Sequence, residues 1–132
     1  MLRDALSWNP FYCVECNGEV LPKRIGLTAE LAESVSSWRA IHSSLYRLWL
    51  ASGDYEDWAR EQLLDPQGQV NEDAFEILEQ VNELPGVTFY YWFFRDVEND
   101  DEPATHCPKC SEALWDYGER FFGKCDYCMI LI

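Results

Sequence analysis

The chain has 132 residues, one domain's worth, and its 48% hydrophobic and 15% aromatic content argues against disorder and supplies a packed core. Ten basic residues against 24 acidic ones give a net charge of −14, which repels nucleic-acid phosphates and attracts basic surfaces. No apolar run is long enough for a signal peptide or a membrane span, so a cytoplasmic, reducing location is expected for the six cysteines.

In chain order, the first motif is Cys13-Val14-Glu15-Cys16-Asn17-Gly18, a Cys-x-x-Cys pair shaped like a metal knuckle, with Gly18 supplying the turn. Residues 20–25 read as an extended strand, and Pro22 suggests a sheet edge. Thr28 is a candidate cap for a long amphipathic helix whose inner face is Leu31, Val35, Trp38, His42, Leu45 and Trp49. Ser34, Ser36 and Ser37 weaken its first half and favour a later start, and Gly53 ends it. His42 on that apolar face predicts a core histidine bonded to a backbone group.

Asp54 or Ser52 is expected to cap a second helix over 55–64, with Tyr55, Trp58, Ala59 and Gln62 or Leu63 turned inward. Asp65-Pro66-Gln67-Gly68 has the residues of a type I turn. Asn71 is expected to cap a third helix to about Glu83, burying Ala74, Ile77, Leu78 and Val81. Its other face carries Glu72, Glu76, Glu79 and Glu83 at steps of 4, 3 and 4. Residues 54–83 hold ten acidic residues against Arg60 alone, so this stripe, with Asp54, Asp57 and Glu61, is the candidate partner-binding surface.

Pro85-Gly86 stops the third helix, and residues 87–95 form the clearest strand, apolar on both faces and therefore central. Core packing is the expected use of its aromatics, because a base-stacking platform needs a basic groove and only Arg95 is near. An acidic loop over 98–103 leads into Cys107-Pro108-Lys109-Cys110, fourteen residues, and Cys125-Asp126-Tyr127-Cys128. Two such pairs are the pattern of a four-thiolate zinc site, with short strands over 113–115 and 121–124 and a third from the tail at 129–132. One structural zinc per chain is expected on Cys107, Cys110, Cys125 and Cys128. For Cys13 and Cys16 three readings stand: completing a site with another pair, forming one with His42 and His106, or a knuckle without partners in the chain. The last is the expectation.

The predicted fold is α+β: a small antiparallel sheet, about three helices and a C-terminal zinc ribbon. Residues 1–103 would form the core and residues 104–132 the ribbon packed on it. Several segments together resemble a bacterial zinc-ribbon-containing family that is labelled a candidate for nucleic-acid binding. They are Cys13-x-x-Cys16-x-Gly18-x-Val20-x-Pro22, Trp38, the run Leu48-Trp49-Leu50-Ala51-Ser52-Gly53, the run Gly86-Val87-Thr88-Phe89-Tyr90-Tyr91 to Arg95, and the ribbon with Trp115 and Phe122-Gly123-Lys124. The resemblance implies an intracellular protein with a zinc ribbon and no established activity.

No catalytic motif stands out, so an enzyme is not expected. The expected function is that of an acidic protein that binds and inhibits a basic partner, most specifically an immunity-type inhibitor of a nuclease toxin. The alternative is a nucleic-acid-binding ribbon using Lys109, Arg120 and Lys124, although residues 107–132 hold four acidic residues against those three.

Overall fold

The computed structural model describes residues 1–4, 8–86, 88–96, 104–116 and 123–132, with the side chain of Asp116 outside the description. Val87, the acidic loop at 98–103 and the ribbon tip at 117–122 therefore lie outside the described residues.

Helix α2 (Ala29–Ala51) begins where Thr28 accepts a hydrogen bond from the Leu31 amide at 3.1 Å. The serines do not delay it. Ser34 donates to the Glu30 carbonyl within the same helix, while Ser36 and Ser37 face water. Leu31, Val35, Trp38, His42 and Leu45 are buried as the 3.6-residue period requires, and the Trp49 ring meets Phe94 edge-on at 4.9 Å. Gly53, at φ 65°, turns the chain out of the helix in a backbone region that other residues adopt at a cost.

Residues 20–25 depart from the expected edge strand. Pro22 starts a single helical turn, α1 (Pro22–Ile25), which Gly26 closes in the left-handed region at φ 80°. Proline at a first helical position loses no hydrogen bond, so the residue that suggested a sheet edge opens a helix.

Helix α3 (Glu56–Leu64) also starts differently from expectation, without a side-chain cap from Asp54 or Ser52. The Glu56 carboxylate instead reaches back to the Gly53 amide at 3.0 Å. Ala59 and Leu63 are buried, but Tyr55 and Trp58 stay 60% and 50% exposed. A nine-residue helix offers one narrow stripe to its neighbours, and the small Ala59 rather than the rings fills it.

The turn at 65–68 forms as expected, with the Gly68 amide on the Asp65 carbonyl at 3.0 Å. It launches α4 (Gln69–Asn82), whose flanking residue is Gly68, not Asn71. Asn71 lies in the first turn and is wholly buried. Its amide nitrogen donates to the carbonyls of Leu63 at 3.1 Å and Asp65 at 2.7 Å, while its oxygen accepts from the Tyr91 hydroxyl at 2.8 Å. One side chain in the first turn of α4 thus satisfies carbonyls at the end of α3 and ties them to the sheet. Ala74, Ile77, Leu78 and Val81 are buried as the periodicity predicts, joined by Val70 and Phe75.

The sheet holds four short strands: β1 (Tyr91–Trp92), β2 (Trp115–Asp116), β3 (Gly123–Cys125) and β4 (Ile130–Leu131), in the order β1-β4-β3-β2. The α+β class is as expected, but the sheet is mixed where an antiparallel one was predicted. β2–β3 and β3–β4 are antiparallel, whereas β1 runs parallel to β4 with Tyr91 opposite Ile130. A parallel pair needs a long crossover, and here the connection is the ribbon itself. The strand expected over 87–95 is reduced to two residues and stands at the end of the sheet order, flanked on its outer side only by an isolated bridge to Leu2. The Tyr91 and Phe93 amides donate to Met129 and Leu131, and the Leu2 backbone pairs on the other edge.

Tyr91 is fully buried and stands edge-on to Trp38, Phe75 and Phe93, with centroids 5.5–5.9 Å away. Trp38 donates its ring N–H to the Val70 carbonyl at 3.0 Å, so α2, α4 and β1 meet at this aromatic cluster. No described helix is long and apolar enough to cross a membrane.

Candidate metal centre

Two knuckles build the centre. In the first, the Cys107 amide donates to the Glu112 carbonyl at 2.8 Å and the Ser111 amide to the Cys107 carbonyl at 2.9 Å. Ser111 takes a left-handed φ of 62°, which brings Cys107 and Cys110 to the same side of the turn. In the second, β3 ends at Cys125 and β4 returns at Ile130, with Met129 at φ 55°. The Cys128 amide points at the Cys125 sulfur at 3.3 Å, a hydrogen bond that favours a thiolate.

All four sulfurs, of Cys107, Cys110, Cys125 and Cys128, lie within 4.8 Å of one another, so they form one cluster positioned to bind a metal ion. Cys110 Sγ and Cys125 Sγ are 3.7 Å apart. Four sulfurs bound tetrahedrally at ~2.3 Å would be separated by about 3.8 Å, so the residues present fit a tetrahedral ion. Four thiolates leave no open position for a water, which suits a structural role and not a catalytic one.

The cluster is part of the core. Cys107 and Cys125 are buried among the main apolar side chains, and Lys109 places its ammonium 3.7 Å from the centre of the Phe75 ring on α4. Gly123 is required by close packing, since a Cβ there would lie 2.6 Å from Leu114 Cδ1.

Burial and the neighbouring sulfurs push the thiols of Cys125 and Cys128 up, while a backbone hydrogen bond at Glu112 holds Cys110 down. Near neutral pH the metal-free cluster therefore retains protons that an ion must displace. Binding releases protons, so affinity rises with pH and acid favours the protonated, metal-free form. A titration of metal release against pH is expected to show retention at neutral pH and loss on acidification; pH-independent release would contradict a thiolate site.

The other sequence candidates fall outside this cluster. Cys13 is half-buried and Cys16 exposed, and His106 is exposed and pairs with the Thr105 hydroxyl at 2.9 Å. His42 corrects its expectation, for its partner is a carboxylate and not a backbone group. His42 Nδ1 lies 3.2 Å from Asp4 Oδ2, which also accepts from Ser43 Oγ at 2.7 Å. Burial disfavours the Asp4 carboxylate, yet hydrogen bonds from His42 and Ser43 and the charge of Arg39 outweigh it and hold its pKa down. Sequence offers no signal for this pairing across 38 residues.

Asp54, Asp57, Glu61, Glu72, Glu76, Glu79 and Glu83 are all exposed, on the turn before α3, on α3, on α4 and, for Glu83, at the residue that closes α4. The ribbon's cations are engaged locally. Besides Lys109 on Phe75, Lys124 pairs with Asp126 at 2.8 Å and lies 4.8 Å from the centre of the Tyr90 ring; Arg120 lies outside the described residues. Comparison with family models, curated proteins and solved structures finds no match for this chain.

Proposed function

We propose that this chain is a non-enzymatic, acidic zinc-ribbon protein that binds and inhibits a basic protein partner through α3 and α4. Its most specific form is an immunity-type inhibitor, whose carboxylates take the place of substrate phosphates in the cleft of a nuclease toxin. The observation that carries this reading is the exposure of all seven carboxylates, none of them ion-paired to another described residue. Like charges at helical spacings of three and four repel by a few tenths of ~1 kcal/mol per pair, so the stripe does nothing for folding. Its use is then at a surface of opposite charge, where it speeds encounter.

Zinc is the ion that a closed set of four thiolates on two knuckles fits, in a cytoplasmic protein of the zinc-ribbon family that the sequence resembles. Nucleic-acid binding gains no support from the ribbon, because Lys109 and Lys124 are committed to an aromatic ring and a carboxylate. Immobilised protein incubated with lysate of its native source is expected to retain a basic protein that is released by salt. Glu76→Lys combined with Glu79→Lys is expected to slow association with that protein by about tenfold while leaving the melting temperature unchanged or slightly raised. An unchanged association rate, or micromolar binding of the wild type to generic DNA or RNA near physiological salt, would overturn the proposal.

A further inference from the structure

The segment from Tyr12 to Glu19 repeats the ribbon's knuckle bond for bond. The Cys13 amide donates to the Gly18 carbonyl at 2.8 Å and the Asn17 amide to the Cys13 carbonyl at 3.0 Å, the pattern of Cys107, Glu112 and Ser111. Tyr12 bridges Glu19 as His106 bridges Ala113 and as Lys124 pairs with Leu131. Asn17 has φ 55°, at the same offset from its first cysteine as Ser111 and Met129. Among the described residues these three are the only ones besides glycines with positive φ. Such a conformation is uncommon outside glycine, so its recurrence four residues after each leading cysteine marks one motif used three times.

Two of the three knuckles face each other and complete a ligand set. The third does not, for no third Cys, His, Asp or Glu among the described residues joins Cys13 and Cys16. Gly18 leaves room beside the exposed Cys16 sulfur, which a Cβ would approach to 3.3 Å. Two thiolates are half of a tetrahedral set, and a two-fold axis supplies the other half by presenting the same pair again. Charge permits that approach, since residues 1–53 hold five acidic and five basic residues despite the chain's −14. Arg3, 3.3 Å from Asn17 Oδ1 and stacked on Tyr12, places a positive charge beside the knuckle. It would offset the excess negative charge of four thiolates around a divalent ion.

We propose that Cys13 and Cys16 of one chain and the same pair of a second copy hold a further zinc-type ion between them, making the protein a metal-linked dimer. The test is to load the purified full chain with zinc under reducing conditions, then measure its mass by light scattering and its metal by elemental analysis. A dimer with three zinc ions per two chains is expected, with no thiol open to iodoacetamide. Cys16→Ser is expected to give a monomer with one zinc per chain and the same circular dichroism, because the side chain it replaces is exposed. In the wild type, limited chelator is expected to dissociate the dimer before the ribbon loses its ion. A wild-type monomer with one zinc and two alkylated thiols at Cys13 and Cys16 would overturn the proposal. So would a dimer that survives Cys16→Ser, or two zinc ions in a monomer.

Discussion

Cys125→Ser is expected to lower the metal content by one ion per chain and to unfold the C-terminal strands. Metal binding and folding are one process in sites of this kind, with binding free energies on the order of 10 kcal/mol for isolated zinc modules. The loss would not stop at the ribbon. β4 is the strand on which β1 pairs, and Ile130 and Leu131 are fully buried against it. Releasing the second knuckle therefore exposes both side chains and leaves the Tyr91 and Phe93 amides without their acceptors. Hydrogen exchange is expected to accelerate across 123–132 first and then at 90–93. Unaltered metal content, or unaltered protection of those amides, would contradict the site as described.

Asn71→Leu is the second large effect, and it acts without any metal. The substitution keeps the branching at Cγ and removes every polar contact, stranding the Tyr91 hydroxyl and the Leu63 carbonyl in the interior, while the Asp65 carbonyl keeps the Gly68 amide. Each buried group left without a partner costs about 1–3 kcal/mol, so a loss of roughly 2–5 kcal/mol is expected from the two. Tyr91→Phe, which frees only one acceptor, should cost about 1 kcal/mol. Urea melts separate the two: the midpoint should fall far more for Asn71→Leu, with the slope unchanged if both variants unfold in one step. Equal losses would mean that the carbonyls at the end of α3 find other donors.

What was legible in the sequence was local. The period of Leu31 to Leu45, the Thr28 cap, the turn at 65–68 and the thiolate spacing are each decided within a few residues, and each stands in the structure. The failures arise where a residue has two local meanings and tertiary contacts choose between them. Pro22 suits a sheet edge and a first helical turn equally, and Gly26 in the left-handed region decides for the helix. Asn71 is a good cap by type, but the turn before it starts the helix two residues earlier and turns its amide inward. Tyr55 and Trp58 read as core because they are large, whereas α3 buries Ala59 and Leu63 against its neighbours.

Strand direction and the Asp4–His42 pair join segments far apart in the chain, and no periodicity encodes them. The exposure of the seven carboxylates was legible, since charge at helical spacing follows the face opposite the core.

The most direct test of the account is X-ray absorption at the zinc edge on protein carrying Cys16→Ser, which leaves the ribbon site alone. One zinc per chain surrounded by four sulfur atoms at about 2.3 Å is the predicted result. Nitrogen or oxygen among the neighbours, iron in place of zinc, or a chain that folds without metal would contradict it.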